Sequence, residues 1–227
     1  MQPTLVAQPF HHKGWVYEEK VDGYRMVAHK HDDAVSIVGR QGKEHTTRFL
    51  ELAKALASLP ARSFILDGEV AVYDRAHISR FEWLRARPKD GRATEPVYMV
   101  FDVLELDGKD WRAEPLWNRR RVLEELVARE GLILPVRRLS SNGLKAWAQA
   151  VHKGYEGLVG KDPEAPYVGG RTLKWLKVKV PHYREGERGW EPKDRSQSAR
   201  PPVGVRSTRW PSRPVPPRSA VMPGGHL

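Results

Sequence analysis

The sequence predicts an α+β fold, in which strands and helices follow one another irregularly. Three observations support this class. Short segments rich in β-branched and aromatic residues recur in neighbouring groups before residue 181. Three other segments carry apolar residues at helical spacing. A strict alternation of strand and helix, which would indicate a parallel sheet, is missing, and the sequence contains no internal repeat.

The predicted strands are short segments in which apolar side chains alternate or run together between turn residues. There are six of them, and each is short and rich in β-branched or aromatic residues. They are Trp15–Glu18, Tyr24–Lys30, Ala34–Val38, Phe64–Tyr73, Val97–Leu104 and Leu173–Val180.

The predicted helices are longer and end at residues that stop helices. Thr47–Leu59 is followed by Pro60, and Leu116–Arg129 is followed by Gly131. A third helix is predicted at 144–153, with Gly154 at its C-terminal end. Its apolar side chains share one face, which we expect to point inward: Leu144, Trp147, Ala148 and Val151.

The composition is that of a soluble protein with an unusual positive charge. Of the 227 residues, 40% are hydrophobic and 30% charged, and the formal net charge is +11. Such a surplus favours polyanionic partners, although a generally basic protein is an equally open interpretation. The absence of cysteine excludes disulfides, thiolate catalysis and Cys-ligated metal sites. With no signal-peptide pattern and no membrane-length apolar run, we expect a cytoplasmic protein without membrane association.

The composition changes sharply at Pro181. Nine of the eighteen prolines lie between residues 181 and 227, and apolar periodicity ends there. A segment of this kind buries too little apolar surface to offset its ordering entropy. We therefore predict a folded domain over residues 1–180 and a disordered Pro/Arg-rich tail over 181–227.

Charged residues interrupt several of the predicted strands. Lys20 lies beside the turn signal Asp22-Gly23, where a surface lysine is the alternative. Glu69 lies in an apolar strand, where it must bind a cation, accept hydrogen bonds or point outward. Phe101 is a core residue by default, although it can also stack on a base.

Two later segments add further charges. Glu156 and Lys161 flank an apolar centre, and Lys177 and Lys179 occupy one face of a strand. A solvated, lysine-protected sheet edge is the alternative for the lysines. Taken together, two glutamates and several lysines suit phosphoryl chemistry, in which carboxylates hold Mg²⁺ and cations neutralise phosphate oxygens. A neutral lysine can act as the nucleophile. The residues alone therefore indicate a basic metal- and phosphate-binding enzyme.

The run from Lys20 to Arg25, KVDGYR, matches the K-x-D-G-x-R signature of the covalent nucleotidyltransferases. The later family elements follow in order as LDGEVAVYD, YMVFDVL, EGLVGK and WLKVK, and Gly39 to Gly42 is similar to an S-R-x-G element. The chain therefore resembles the group that contains DNA ligases, RNA ligases and mRNA capping enzymes. Over Trp15–Val180 it is most similar to bacterial ATP-dependent DNA ligase domains, especially those used in end joining.

The resemblance implies roles for the matching residues around the nucleotide. Lys20 would attack the α-phosphate of ATP and carry AMP through a phosphoramidate bond. Glu18 would lie beside the adenine, and Phe101 would stack on its ring. Arg25 and Glu69 would lie near the ribose and the reacting phosphate, with Glu69 also serving a metal.

The resemblance also implies roles for residues around the phosphates and the DNA. Glu156 would be a metal ligand, and Lys177 and Lys179 would hold the α-phosphate. Arg40 would meet the 5′-phosphate at a nick, and Asp22 would lie near the nick termini. The cofactors implied are ATP, as the substrate that leaves covalent AMP, and Mg²⁺ or Mn²⁺.

The fold implied by the resemblance is two antiparallel sheets with flanking helices and a nucleotide cleft between them. The implied function is sealing of nicked double-stranded DNA in repair and recombination. AMP would pass from the enzyme to the 5′-phosphate, and the 3′-hydroxyl would then displace it. The residues alone do not separate adenine from guanine, or DNA from RNA, so an RNA ligase or capping-type enzyme stays open.

The sequence departs from the family pattern after Pro181. Family ligases continue into an OB-fold domain, but the Pro/Arg-rich segment contains no OB-like set of strands. A protein partner that supplies the missing functions is one expectation. A truncated or frame-shifted product, and hence a nucleotide- or nick-binding remnant without turnover, is the alternative.

Overall fold

A computed structural model describes residues 1–127 and 131–181. Two β-sheets and three α-helices make up this part of the chain. This confirms the predicted α+β class with two sheets and flanking helices. The predicted disordered tail lies outside the described residues, apart from Pro181, and the domain boundary near residue 180 stays a prediction.

The first sheet contains four strands and brings the two ends of the described chain together. Three of its strands pair antiparallel, whereas the edge strand from the N-terminus runs parallel to its neighbour. In spatial order the strands are β1 (Gln2–Leu5), β10 (Arg171–Lys179), β9 (Gly157–Lys161) and β2 (Val16–Glu19). Helix α3 (Gly143–Lys153) packs against β9 and β2.

The second sheet is larger and holds most of the hydrophobic core. Helices α1 (Leu50–Ala57) and α2 (Leu116–Leu126) pack against it. One short strand pairs parallel to β6, and the other pairs are antiparallel. In spatial order the strands are β4 (Ala34–Gly39), β3 (Tyr24–His31), β5 (Ser63–Ala71), β6 (Val97–Leu106) and β7 (Lys109–Asp110), with β8 (Ile133–Pro135) beside β6.

The six predicted strands are all present, with ends shifted by a few residues, and four further strands were not predicted. The missed strands carry weak local signals: β7 and β8 are only two and three residues long, β1 contains a proline, and β9 contains two glycines. Two of these missed strands form the parallel pairs, so the expectation of purely antiparallel sheets was incomplete.

Two predicted helices are shorter than expected. The segment predicted as Thr47–Leu59 begins as a 3-10 turn over Thr46–Phe49 and becomes α-helical only from Leu50. The helix predicted to reach Arg129 ends at Leu126, because Val127 already has an extended backbone.

The inward face predicted for α3 was only partly correct: Trp147 packs partly buried against the core, whereas Leu144, Ala148 and Val151 are exposed. The side chains that face the sheet are small, namely Gly143, Ala146 and Ala150, whereas Leu144 and Val151 are 56% and 47% exposed. Small residues let the helix approach the sheet closely: a Cβ added at Gly143 would lie 2.7 Å from the Tyr17 ring on β2 and 2.1 Å from the carbonyl oxygen of Phe10 in the segment before it. Close backbone packing therefore decided which face is buried.

Membrane-spanning segments were sought among the helices of residues 1–127 and 131–181. None of these helices has the length and apolar character needed to cross a bilayer.

Candidate active site

A cleft of about 630 Å³ is lined by residues of both sheets. The N-terminal strand, β2 and β10 contribute from the first sheet, and β3, β5 and β6 contribute from the second. Seven of the residues to which the sequence gave a site role line this cleft: Glu18, Lys20, Arg25, Arg40, Glu69, Phe101 and Lys177.

Lys20 lies directly after β2 and forms an ion pair inside the first sheet. Its Nζ donates to Glu156 Oε2 at 2.5 Å, and Lys179 Nζ lies 2.9 Å from Glu156 Oε1. The antiparallel pairing of β9 with β10 places Lys179 opposite Gly157, the residue after Glu156. Residues from three distant motifs therefore meet around one buried carboxylate.

The turn after Lys20 is held against β5. The Asp22 N–H donates to Ser79 Oγ at 2.9 Å, and the Gly23 N–H donates to Glu69 Oε1 at 3.1 Å. A side chain at Gly23 would place its Cβ 2.3 Å from the Val70 carbonyl oxygen, so this close approach requires glycine. Asp22 itself is buried at the turn.

Glu69 and Glu156 form a pair of interacting carboxylates. Burial raises the pKa of Glu69 to about 8, Lys20 opposes this shift, and the charge of Glu156 adds to it. Two carboxylates suit a divalent cation, which would offset their repulsion. Residues 1–127 and 131–181 contain no cluster of three or more His, Asp or Glu that would complete a coordination shell. A cation here would therefore take its other ligands from phosphate oxygens and water.

A second buried ion pair forms one wall of the cleft. Glu18 Oε2 lies 2.5 Å from Lys161 Nζ, and Glu18 Oε1 lies 3.5 Å from Arg120 Nη1. Desolvation lowers the pKa of Lys161, while Glu18 opposes the shift. The Lys161 ammonium also lies 4.7 Å from the ring centroid of Phe101 and 4.2 Å from that of Trp175.

Phe101 packs as a core residue and also presents its ring to the cleft, where it could stack on a base. Its ring packs edge-on against Trp175, with centroids 5.9 Å apart, and the half-buried side chain also lines the cleft. An aromatic surface beside the carboxylate of Glu18 can accept a flat heterocycle that carries a hydrogen-bond donor.

Arg25 is held in one orientation by a carboxylate that the sequence prediction did not include. Its Nε and Nη2 donate to the two oxygens of Asp67 at 3.1 and 2.6 Å, and the Tyr167 hydroxyl donates to Asp67 Oδ2 at 2.7 Å. Burial lowers the pKa of Arg25, but Asp67 outweighs this effect and raises it above its usual value. The guanidinium lies 5.3 Å from the Phe101 ring centroid.

Further cations line the cleft from both sheets. Arg40 is exposed at the turn after β4, and Lys177 lies across the cleft on β10. Partial burial lowers the pKa of Lys177, and the neighbouring Lys20 and Lys179 add to this shift. Arg171 also lines the cleft and was not singled out in the sequence.

Sequence reasoning gave no site role to several other residues that shape the cleft. Asp67 and Lys161 stand in the quoted motifs LDGE and EGLVGK, so their positions carried a signal. Arg120 lies on a helix, where arginine is normally a surface residue, and Tyr167 lies in an irregular segment. Neither of these two carried a local signal.

A model of the family described as ATP dependent DNA ligase domain matches residues 4–179. The chain belongs to this ligase-domain family. This confirms the resemblance to the ATP-dependent DNA ligases.

Relatives of this ligase domain are longer than the chain. The multifunctional non-homologous end joining protein LigD of Pseudomonas aeruginosa is 35% identical over 180 residues, which are 78% of this chain and 21% of that protein. The SPbeta prophage-derived DNA ligase-like protein LigB of Bacillus subtilis is 32% identical over 175 residues, or 76% and 64% of the two chains. The chain thus spans about a fifth of the LigD relative.

Solved ligase structures share the fold. The ligase domain from Mycobacterium tuberculosis LigD aligns with a TM-score of 0.65 and 29% identity, over 78% of this chain and 59% of that one. A mycobacterial DNA ligase D complexed with ATP and MES aligns with a TM-score of 0.63 and 28% identity, over 78% and 60%.

Proposed function

We propose that this chain is the adenylation domain of an ATP-dependent DNA ligase, in which Lys20 forms a covalent bond to AMP. The observation that carries the proposal is the meeting of Lys20, Glu156 and Lys179, which come from three separate motifs. The distances of 2.5 Å from Lys20 to Glu156 and 2.9 Å from Lys179 to Glu156 support this proposal, because an amine, a carboxylate and a second cation lie together. The match over residues 4–179 supports the same function.

The proposed first step is attack by the Lys20 amine, once it has lost its proton, on the α-phosphorus of ATP. A bond forms between Nζ and phosphorus, the bond from that phosphorus to the oxygen shared with the β-phosphate breaks, and pyrophosphate leaves. Lys177 and Lys179 would hold the α-phosphate oxygens, since both carry cationic side chains close to Lys20. Positioning and charge neutralisation supply most of the acceleration in such transfers.

The wall formed by Glu18 and Phe101 would take the base. A carboxylate only accepts hydrogen bonds, and Glu18 would accept one from the exocyclic amine of adenine. Phe101 would stack on the ring, and Arg25, held by Asp67, would lie by the ribose and phosphate. The LigD neighbour described as complexed with ATP supports this choice of nucleotide.

Glu69 and Glu156 would hold Mg²⁺ or Mn²⁺. Bound there, the cation would neutralise charge on the reacting phosphate oxygens. The carboxylates fit such an ion, because desolvation and the Glu156 charge keep the metal-free Glu69 pKa near 8 and a bound cation would favour the ionised form.

The proposed substrate is nicked double-stranded DNA in repair and recombination. AMP would move from Lys20 to the 5′-phosphate, and a 3′-hydroxyl would displace it. Arg40 would meet the 5′-phosphate, and Asp22 would lie near the nick termini. Because the LigD relatives are much longer, we expect sealing to need parts supplied by a longer polypeptide or by a protein partner.

The experiment that tests this function is incubation of the purified protein with α-labelled ATP and Mg²⁺, followed by denaturing electrophoresis. We expect label on the wild type, no label on Lys20→Ala, and full label on Lys54→Ala, whose side chain is exposed on α1. GTP as competitor and RNA nicks as substrate separate the RNA ligase and capping-type alternatives.

The opposite result has a clear meaning. A wild type that takes no label would contradict self-adenylation. Sealing of a nick that already carries AMP would then identify a remnant that keeps only the last step, and failure on that substrate would leave nucleotide or nick binding without turnover.

A further inference from the structure

The residue before the nucleophile, Glu19, has a buried carboxyl group. Glu19 has no side-chain exposure, and its Oε2 lies 3.1 Å from Arg137 Nη1. The same Nη1 donates to the His77 carbonyl oxygen at 3.0 Å, and the Glu19 N–H donates to the Arg137 carbonyl oxygen at 3.0 Å. Glu19 is therefore joined to Arg137 through both side chain and backbone.

Arg137 connects two segments that hold the Lys20 turn. It follows β8, and through His77 it reaches the turn that contains Ser79, the acceptor for the Asp22 N–H. His77 is one of the non-glycine residues with a positive φ, at 59°, a conformation that needs support from its surroundings. The guanidinium also lies 4.9 Å from the Tyr73 ring centroid.

Stability alone does not explain the buried pair of Glu19 and Arg137. Burying a carboxylate and part of a guanidinium carries a desolvation penalty that the ion pair seldom repays in full. Glu19 borders the cleft, but its side chain has no exposed surface and is paired with Arg137. Its effect on the reaction must act through the backbone that carries Lys20.

We propose that Glu19 and Arg137 are positioning residues for Lys20. The inference rests on the proposed function and extends it. The pair fixes the end of β2 through the contacts of Glu19 with Arg137. On the neighbouring strand, the Gly157 carbonyl oxygen accepts from the Lys20 N–H at 3.0 Å. The nucleophilic amine is thereby kept in line with Glu156 and Lys179.

The test is single-turnover formation of lysyl–AMP at several ATP concentrations. For Arg137→Met we expect the maximal rate to fall by roughly 10- to 100-fold, because a displacement of about 1 Å is enough for such losses. The KM for ATP stays unchanged, since neither side chain holds the nucleotide. Glu19→Gln keeps an acceptor for Arg137, so its rate falls by less than about fivefold.

The matched control is Arg138→Met. Arg138 is the next residue, and its exposed side chain pairs with Glu124 instead. It should keep the wild-type rate. Thermal unfolding of every variant is measured in parallel. If Arg137→Met does not fold, Arg137→Lys replaces it, because lysine keeps the charge without the fixed geometry of the guanidinium, and we expect a loss of roughly tenfold.

The inference is overturned if folded Arg137→Met or Arg137→Lys forms lysyl–AMP at the wild-type rate, or if the rate and the KM for ATP change together. A loss of stability with an unchanged rate would show a structural role only. An unlabelled wild type would contradict the proposed function itself and this inference with it.

Discussion

Several side chains around the cleft are held in place by buried ion pairs. The Glu18–Lys161 pair, which lines the cleft, is nearly fully buried, and the Arg119–Asp102 pair, which does not line it, is fully buried. Such pairs add little net stability when intact, but loss of one partner leaves an uncompensated charge. Their value lies in fixing orientation, since each wall of the cleft then offers a single arrangement of donors and acceptors.

Removing one partner of the Glu18–Lys161 pair should therefore cost more than removing both. We expect Glu18→Ala to lower the free energy of unfolding by about 3–5 kcal/mol, because Lys161 stays buried without its closest anion. The double variant Glu18→Ala/Lys161→Met should recover part of that loss. Urea unfolding of the wild type, both single variants and the double variant measures this coupling. Strictly additive losses would contradict it.

The pH dependence of stability should carry a contribution from Glu19. Burial raises its pKa to about 7 from an ordinary value of 4.5, and Arg137 opposes the shift. The folded state thus binds the proton more tightly than the unfolded state. This contribution is complete below pH 4.5 and is lost as the pH rises to about 7, a change on the order of 3 kcal/mol.

Glu19→Gln removes this titration. The free energy of unfolding of the variant should therefore rise relative to the wild type between pH 5 and pH 8. Urea unfolding of both proteins at these two pH values gives the difference. The same difference at both values would show that Glu19 does not titrate in this range.

At the level of elements, three strands assemble the proposed reaction centre. The pairing of β2 with β9 and of β9 with β10 brings the ends of the Lys20, Glu156 and Lys179 motifs side by side. The sequence identified each motif, but the contact between Lys20 and Glu156 joins residues 136 positions apart. Local patterns carry no information about such a pairing, and β9 itself, with its two glycines, was not predicted as a strand.

Helix α3 also shows that a local sequence pattern does not determine tertiary packing. Its periodicity was recognised, yet Leu144 and Val151 were assigned to the buried face although they are exposed, because Gly143, Ala146 and Ala150 allow a closer approach to the sheet. Hydrophobicity ranks leucine above alanine, whereas the available space at this contact favours alanine. Asn142, which caps the helix by accepting from the Leu144 and Lys145 N–H groups, then fixes where it begins.

The close packing of α3 leads to a prediction about volume. Ala146→Leu should destabilise the fold by about 1–3 kcal/mol, since the added atoms have no space against the sheet. Leu144→Ala, which removes atoms from an exposed position on the same helix, should change stability by less than about 0.5 kcal/mol. Thermal or urea unfolding compares the two. A larger effect at Leu144 would mean that another surface covers this face.

Over the whole molecule, the order of the motifs was a better guide than any single motif. Each charged residue had a plausible solvent-exposed alternative, and only their sequence order identified the family. Two residues have no recognisable pattern: Tyr167 lines the cleft from an irregular segment, and Arg120 pairs from a helix with Glu18 of the cleft wall. Their positions depend on the packing of the two sheets, which is a property of the complete fold.

The net charge of +11 is the whole-molecule property that bears on DNA. Contacts with phosphates release counterions, so affinity for a nicked duplex should fall steeply between about 50 and 200 mM salt and depend little on base sequence. Arg40 is exposed at the edge of the cleft and should contribute one such contact.

Arg40→Ala should therefore weaken binding of the nicked duplex and reduce the slope of log K against log salt by about one unit. Arg121→Ala is the matched control, because Arg121 is exposed on α2 and already paired with Glu125. Fluorescence anisotropy with a labelled duplex over a KCl series measures both slopes. Equal slopes for the two variants would show that the electrostatic attraction comes from the overall charge. A lower slope for Arg40→Ala alone would show that the turn after β4 contacts a phosphate.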